Sequence, residues 1–175
     1  MTKQKKSQAE LSRSLAFCGY LWPMSKVIIT QFYTSFANQD HKDMAACYHD
    51  EVEFTDPAFG TLKGDQAKAM WKMLIERSEG KLKVVSSNIT DNTAHWEAFY
   101  VFSKTGRNVH NKIDARFEFK DGKIYRHYDH FNLWAWSRQA LGFSGMLLGY
   151  TSFFRNKLQT KTRRLLSDYM QLSIK

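Results

Sequence analysis

Cysteine is scarce in this chain: of 175 residues only Cys18 and Cys47 carry a thiol. Two cysteines are too few for a disulfide scaffold of this length, and they are not grouped as metal ligands. Long apolar runs are missing as well. The longest candidate, Leu141 to Phe154, contains three glycines and falls short of the roughly 18 residues a membrane span needs. There are no internal repeats. These absences exclude disulfide-stapled, membrane-spanning and solenoid proteins. They predict one soluble or peripherally attached domain, cytoplasmic in setting, since a domain typically takes about 100–200 residues.

What is present is apolar (43%), charged (25%) and rich in aromatic rings (15%), a composition close to the globular average but with large side chains for a core or a cavity wall. The formal net charge of +9 first suggests nucleic acid. Its distribution argues otherwise. Residues 1–23 set Lys3, Lys5, Lys6 and Arg13 against Glu10, and residues 155–175 set six basic side chains against Asp168, leaving 24–154 almost balanced. A nucleic-acid domain concentrates its basic residues on the folded face, so no nucleic acid is expected as a partner.

Three segments are expected: an extension at 1–24, an α+β domain at 25–133, and a helical tail at 134–175. From Ser25 the pattern is helical, with Ile28, Ile29, Phe32, Tyr33 and Phe36 on one stripe. Asp40 can cap a short second helix. A strand at Glu51 to Thr55 stops at Asp56-Pro57, because proline has no amide proton for a ladder. Asp65 can cap a third helix carrying Ala67, Met70, Trp71, Leu74 and Ile75. After Gly80 the period drops to two, with strands expected at about 81–90, 94–103, 109–119 and 124–133. Short turns separate them, and only antiparallel neighbours can be joined so tightly. The expected architecture is therefore α+β: a curved antiparallel sheet packed on three helices of the N-terminal half, forming a cone, with a C-terminal helical extension.

Alternation assigns the faces. Ile113, Ala115, Phe117 and Phe119 belong under the helices, and Asp114 points away from them. His127, Asp129 and Phe131 share one face of the last strand; Trp96, Ala98, Tyr100 and Phe102 share one face of 94–103. An inward carboxylate at Asp129 would be desolvated unless paired, His127 being the neighbour within reach. Asp56 has a plainer explanation as a turn residue before proline. His127-x-Asp129 has no evident third ligand, so neither a metal nor another cofactor is expected.

The run Gln31-Phe32-Tyr33, then Asn38-Gln39-Asp40, Tyr48-His49-Asp50 and Phe54-Thr55-Asp56-Pro57, resembles the opening of the nuclear transport factor two-like superfamily. That group includes ketosteroid isomerases, SnoaL-type polyketide cyclases and limonene epoxide hydrolases. Asp121-Gly122-Lys123-Ile124 through His127-Tyr128-Asp129-His130-Phe131 looks like the final strand of the cyclase and hydrolase branches. The resemblance covers roughly residues 25–133. It implies the cone fold, a small apolar ligand and a homodimer. It also implies that Asp56 stands at the isomerases' general-base position and Asp129 at the acid/base position of the other two branches. The isomerases' helix-one tyrosine falls on Phe32 with Tyr33 beside it. Their oxyanion aspartate falls on Asp114 without a gap and on Ala115 when the inner faces are matched. The hydrolases' strand arginine and second aspartate read Trp96 and Ala98 here, which disfavours epoxide hydrolysis.

The candidate site is thus Asp129 and Asp56 as catalytic carboxylates, with Tyr33, Phe54, Trp71, Trp96 and His127 as ligand-contacting side chains. The expected function is binding of a small, mostly apolar molecule with carboxylate-mediated proton transfer of isomerase or cyclase type. The alternatives are a non-catalytic binding or dimerisation module, and a membrane-surface accessory protein that uses its basic C-terminal helix.

Overall fold

The computed structural model describes residues 25–172; the expected extension at 1–24 lies outside them. Helix α1, residues 25–37, buries Ile29, Phe32, Tyr33 and Phe36 on one face. It ends where Gln39 turns to a positive φ of 59°. Asp40 then caps α2 (His41–Ala46), accepting from the amides of Lys42 and Asp43 at 3.0 and 3.1 Å. Strand β1 (Tyr48–Asp56) is longer than its sequence pattern suggested. It pairs with a short β2 (Gly60–Lys63), which the pattern did not announce. Helix α3 (Asp65–Ser78) follows, with Asp65 as its first residue and Gly64 in the cap position.

The remaining strands are β3 (Lys83–Ser87), β4 (Thr93–Phe102), β5 (Arg107–Lys120) and β6 (Lys123–His130). The sheet order is β2-β1-β6-β5-β4-β3. The three expected hairpins are antiparallel, but the sheet as a whole is mixed, because β1 runs parallel to β6. Parallel pairing needs a long connection, and α3 with four strands supplies it. Register shifts at Tyr48/Glu53 and Glu118/Phe119 bend the strands, and the sheet curves without closing.

Strand β6 stops at His130 rather than at 133. Asn132 accepts from the Ala135 amide at 2.9 Å and starts α4 (Leu133–Leu141). Two more helices follow, α5 (Phe143–Leu148) and α6 (Ser152–Leu172). Helix α6 folds back over the β1–β2 turn. Gln159, Thr162 and Arg163 donate to the carbonyls of Pro57, Ala58 and Phe59 at 3.2, 2.7 and 2.7 Å, and Tyr169 donates to Glu76 on α3 at 2.6 Å. The tail is therefore packed on its own domain, directly over the turn that holds Asp56.

Candidate functional site

The inward faces are those that alternation assigned. Ile113, Ala115, Phe117, His127 and Asp129 are buried, whereas the Asp114 side chain is 80% exposed and bonds to His95 on the outside of the sheet. Ala115 lies opposite Asp129 in the β5–β6 register, so no carboxylate of β5 stands beside Asp129 on the inner face.

A continuous polar chain crosses the interior. The Trp71 indole donates to the Tyr48 hydroxyl at 2.8 Å, and that hydroxyl meets His127 Nδ1 at 2.7 Å. His127 Nε2 lies 3.0 Å from Asp129 Oδ1, which also accepts from the Trp96 indole at 3.2 Å. With a neutral imidazole, donor counting sets the direction of each bond. An indole N–H can only donate, so Tyr48 accepts from Trp71 and has one proton left, which it gives to His127 Nδ1. His127 then carries its own proton on Nε2 and donates it to Asp129. The imidazole is enclosed by Phe117, Phe54, Phe32 and Trp71, with ring centroids 4.4, 5.1, 5.5 and 6.0 Å away. Neither ring nitrogen needs water.

Tyr33 is different. Its ring packs 6.0 Å from Trp96, and its hydroxyl is buried with no hydrogen-bond partner among the described residues. Burial, then the charge of Asp129, then Tyr48, hold its proton well above the ordinary phenol range. The hydroxyl is therefore a donor facing the carboxylate's field with nothing to receive its proton.

Asp56 sits at the end of β1, partly buried. Its Oδ1 accepts from the amides of Ala58 and Phe59 at 3.0 and 2.5 Å, so it does organise the turn. Desolvation nevertheless outweighs those backbone bonds and, with the nearby charge of Asp129, raises its carboxyl to about 7. Asp56 in turn acts on Tyr100, which burial pushes up to about 12 and whose hydroxyl accepts from the Trp136 indole at 2.7 Å.

The structure thus gathers Asp129, His127, Trp96, Trp71, Phe54 and Tyr33 into one interior and links Asp56 to them through its field. It does not leave the hollow that a cone suggests. The space under α1 and α3 is occupied by interlocking rings, and two surface depressions lie elsewhere. One is on the outside of α1 and α2, the other beside Tyr100, His110 and Gln139. Among the described residues no three histidine, cysteine or carboxylate side chains are placed to share a metal ion.

A family model for the SnoaL-like domain matches residues 29–127, more than half the chain. The chain belongs to the SnoaL-like domain family. Solved structures agree on the fold. Bal32a, from a soil-derived mobile gene cassette, superposes with a TM-score of 0.58 at 18% identity, over 68% of this chain and 98% of that one. TerC, co-crystallised with polyporic acid, gives 0.55 at 16% identity over 67% and 98%. A protein from Xanthomonas campestris pv. campestris, provisionally described as a polyketide cyclase, gives 0.53 at 16% over 69% and 98%. At these identities the likeness speaks for fold alone. No curated protein matches the chain significantly. These structures are covered almost completely, while about a third of this chain lies beyond each match.

Tyr48 joins the polar chain, and Tyr100 and Trp136 pair beside Asp56; none of the three was an expected site residue. Tyr100 was findable, since it shares the inner face of β4 with Trp96 and Ala98. Trp136 was not, because its place beside Tyr100 depends on how α4 folds back.

Proposed function

We propose that this SnoaL-like protein binds a small, mostly apolar carbonyl compound and moves a proton beside the carbonyl, with Asp56 as the base. The observation that carries this reading is the buried, unpartnered hydroxyl of Tyr33 within the field of Asp129. A buried donor left without an acceptor costs about 1–3 kcal/mol, and a ligand oxygen would relieve that. In this scheme the Tyr33 O–H donates to the carbonyl oxygen. Asp56 takes a proton from the adjacent carbon, and the charge left on oxygen is held by Tyr33 until Asp56 returns the proton to carbon. A base near 7 is matched to neutral pH. Asp129, tied to His127 and Trp96, sets the field. Rings fill the space between these groups, so entry must displace one of them; Tyr33 has no hydrogen bond to hold it.

The test is deuterium incorporation in D2O beside the carbonyl of a panel of enones and β-keto esters, followed by mass spectrometry. Exchange above the buffer rate is expected. It should rise with pH through about 7 and fall by roughly 100-fold in Asp56→Asn. An unchanged rate in the Asp56→Asn/Asp129→Asn double variant refutes the scheme. The second reading, a non-catalytic module, draws on the filled interior and on the full pairing around His127. It is the one left standing if no substrate exchanges.

A further inference from the structure

Helix α5 is built inside out. Its inward position and the residue that caps its end are glycines: a Cβ on Gly145 would overlap the Ser137 carbonyl of α4, and one on Gly149 would overlap the Ser137 hydroxyl. Ser137 Oγ donates to the Gly145 carbonyl at 2.9 Å, and the Trp134 indole donates to the Met146 carbonyl at 3.0 Å. The backbone is thus locked onto α4 through its small residues. The large side chains face water. Phe143 is 72% exposed, Tyr150 73%, Phe153 66% and Leu147 51%, with Met146 and Leu148 above 40%. Large apolar residues gathered on one surface, with nothing but glycine behind them, mark a contact surface rather than scatter.

Cations ring this cap. The β4–β5 hairpin docks on the end of α4, with Thr105 donating to the Ala140 carbonyl at 2.6 Å and Arg107 to that of Gln139 at 2.8 Å. That places Lys104 and Arg107 at the α4–α5 corner. Arg138 lies over the Trp134 ring and Lys157 over the Phe153 ring. Lys161 sits against Lys104, and Lys104 first, then Lys157, hold its ammonium below the ordinary lysine value. Among the described residues none of these five exposed cations has a carboxylate within 4 Å. Like charges are held together here with no counter-charge among the described residues.

We propose that this cap is a membrane-docking surface: the outward side chains of α5 and Phe153 enter the interface of an anionic bilayer while Lys104, Arg107, Arg138, Lys157 and Lys161 meet its headgroups. The charge decides the occupant. An apolar centre ringed by unneutralised cations matches anionic lipid, whereas a second copy would bring the same cations against themselves. No helix among the described residues is long and apolar enough to cross a membrane, so the protein would lie on the surface.

The test is flotation of the full chain with phosphatidylcholine vesicles, with and without phosphatidylglycerol, at low and high salt. Binding is expected only with the anionic lipid. It should fall at least about tenfold at high salt, and by a similar factor in both Phe143→Ser/Leu147→Ser/Phe153→Ser and Lys104→Glu/Lys157→Glu/Lys161→Glu. Thermal melts establish that each variant is folded, and Leu147→Ser alone replaces the apolar set if that set is not. Three results overturn the proposal. One is no binding to anionic vesicles. Another is binding that survives the apolar substitutions, which would place attachment elsewhere in the chain. The third is a drop in oligomeric mass in those variants without vesicle binding, which would make the cap a contact between copies.

Discussion

The interior has two sides, divided by Asp129, and they are finished to different degrees. Toward Tyr48, the indole of Trp71, the phenol and both imidazole nitrogens are paired in one chain at 2.7–3.0 Å. Toward Tyr33, a phenol of the same kind is as deeply buried and has no partner among the described residues, and burial raises the Asp56 carboxyl to about 7. Burial is nearly equal, so it does not separate the two sides; satisfaction does. A fully paired buried network holds the fold and has no capacity left for anything else, whereas an orphaned donor beside a desolvated carboxylate holds energy that a ligand can release. The closed side reads as structure and the unfinished side as site.

The largest effect should come from opening the closed side. Tyr48→Phe keeps the ring and removes one oxygen, yet it leaves the Trp71 N–H without an acceptor and His127 Nδ1 without a donor. Two orphaned buried groups predict a loss of about 2–4 kcal/mol in urea unfolding. A loss below about 1 kcal/mol would mean that the chain is not the continuous structure described here, and the contrast between the sides would disappear.

Asp56→Asn should show a smaller, pH-dependent effect. The folded-state carboxyl is raised to about 7 from an unfolded value of about 3.9. Between those values the folded protein binds the proton more tightly than the unfolded chain, so wild-type stability falls as pH rises through that window and levels off above it. The asparagine oxygen can still accept from Ala58 and Phe59 but carries no charge. The variant should therefore match the wild type near pH 4 and exceed it by about 2 kcal/mol above pH 7, an amount discounted for the partial exposure of Asp56. Parallel stability profiles across that range would show that Asp56 is an ordinary turn carboxylate and would leave Tyr33 alone on the unfinished side.

Much of this arrangement was legible beforehand, and what was not has identifiable causes. Period-two alternation placed Ile113, Phe117, His127 and Asp129 inside and Asp114 outside, because a strand offers only two faces. The Asp56-Pro57 break gave the end of β1. The parallel β1–β6 pairing left no local signal, since parallel partners share no turn. Nor did sequence reveal that rings would fill the cone, because alternation tells which way a side chain points and not whether the opposing helix reaches it. The pairing of His127 with Asp129 was within reach of a two-residue spacing on one face. The Tyr48 and Trp71 links were not, for they come from β1 and α3 and meet only in three dimensions.

Tyr33→Phe is the smallest change and the sharpest comparison, being the same substitution as Tyr48→Phe made across Asp129. Here the lost oxygen has no partner, so its removal relieves a desolvated group and the ring packing against Trp96 and Phe117 is kept. Stability should stay level or rise by up to about 1 kcal/mol. Proton exchange into a carbonyl substrate should nonetheless fall, because the donor to the developing oxygen charge is gone, and a single such donor contributes about 100-fold or more in rate where water is excluded. Opposite signs for the two tyrosines would separate a hydroxyl that holds the fold from one kept for a ligand. A loss of stability comparable to that of Tyr48→Phe would show that Tyr33 is already satisfied by an ordered water, and the unfinished side would then be as closed as the other.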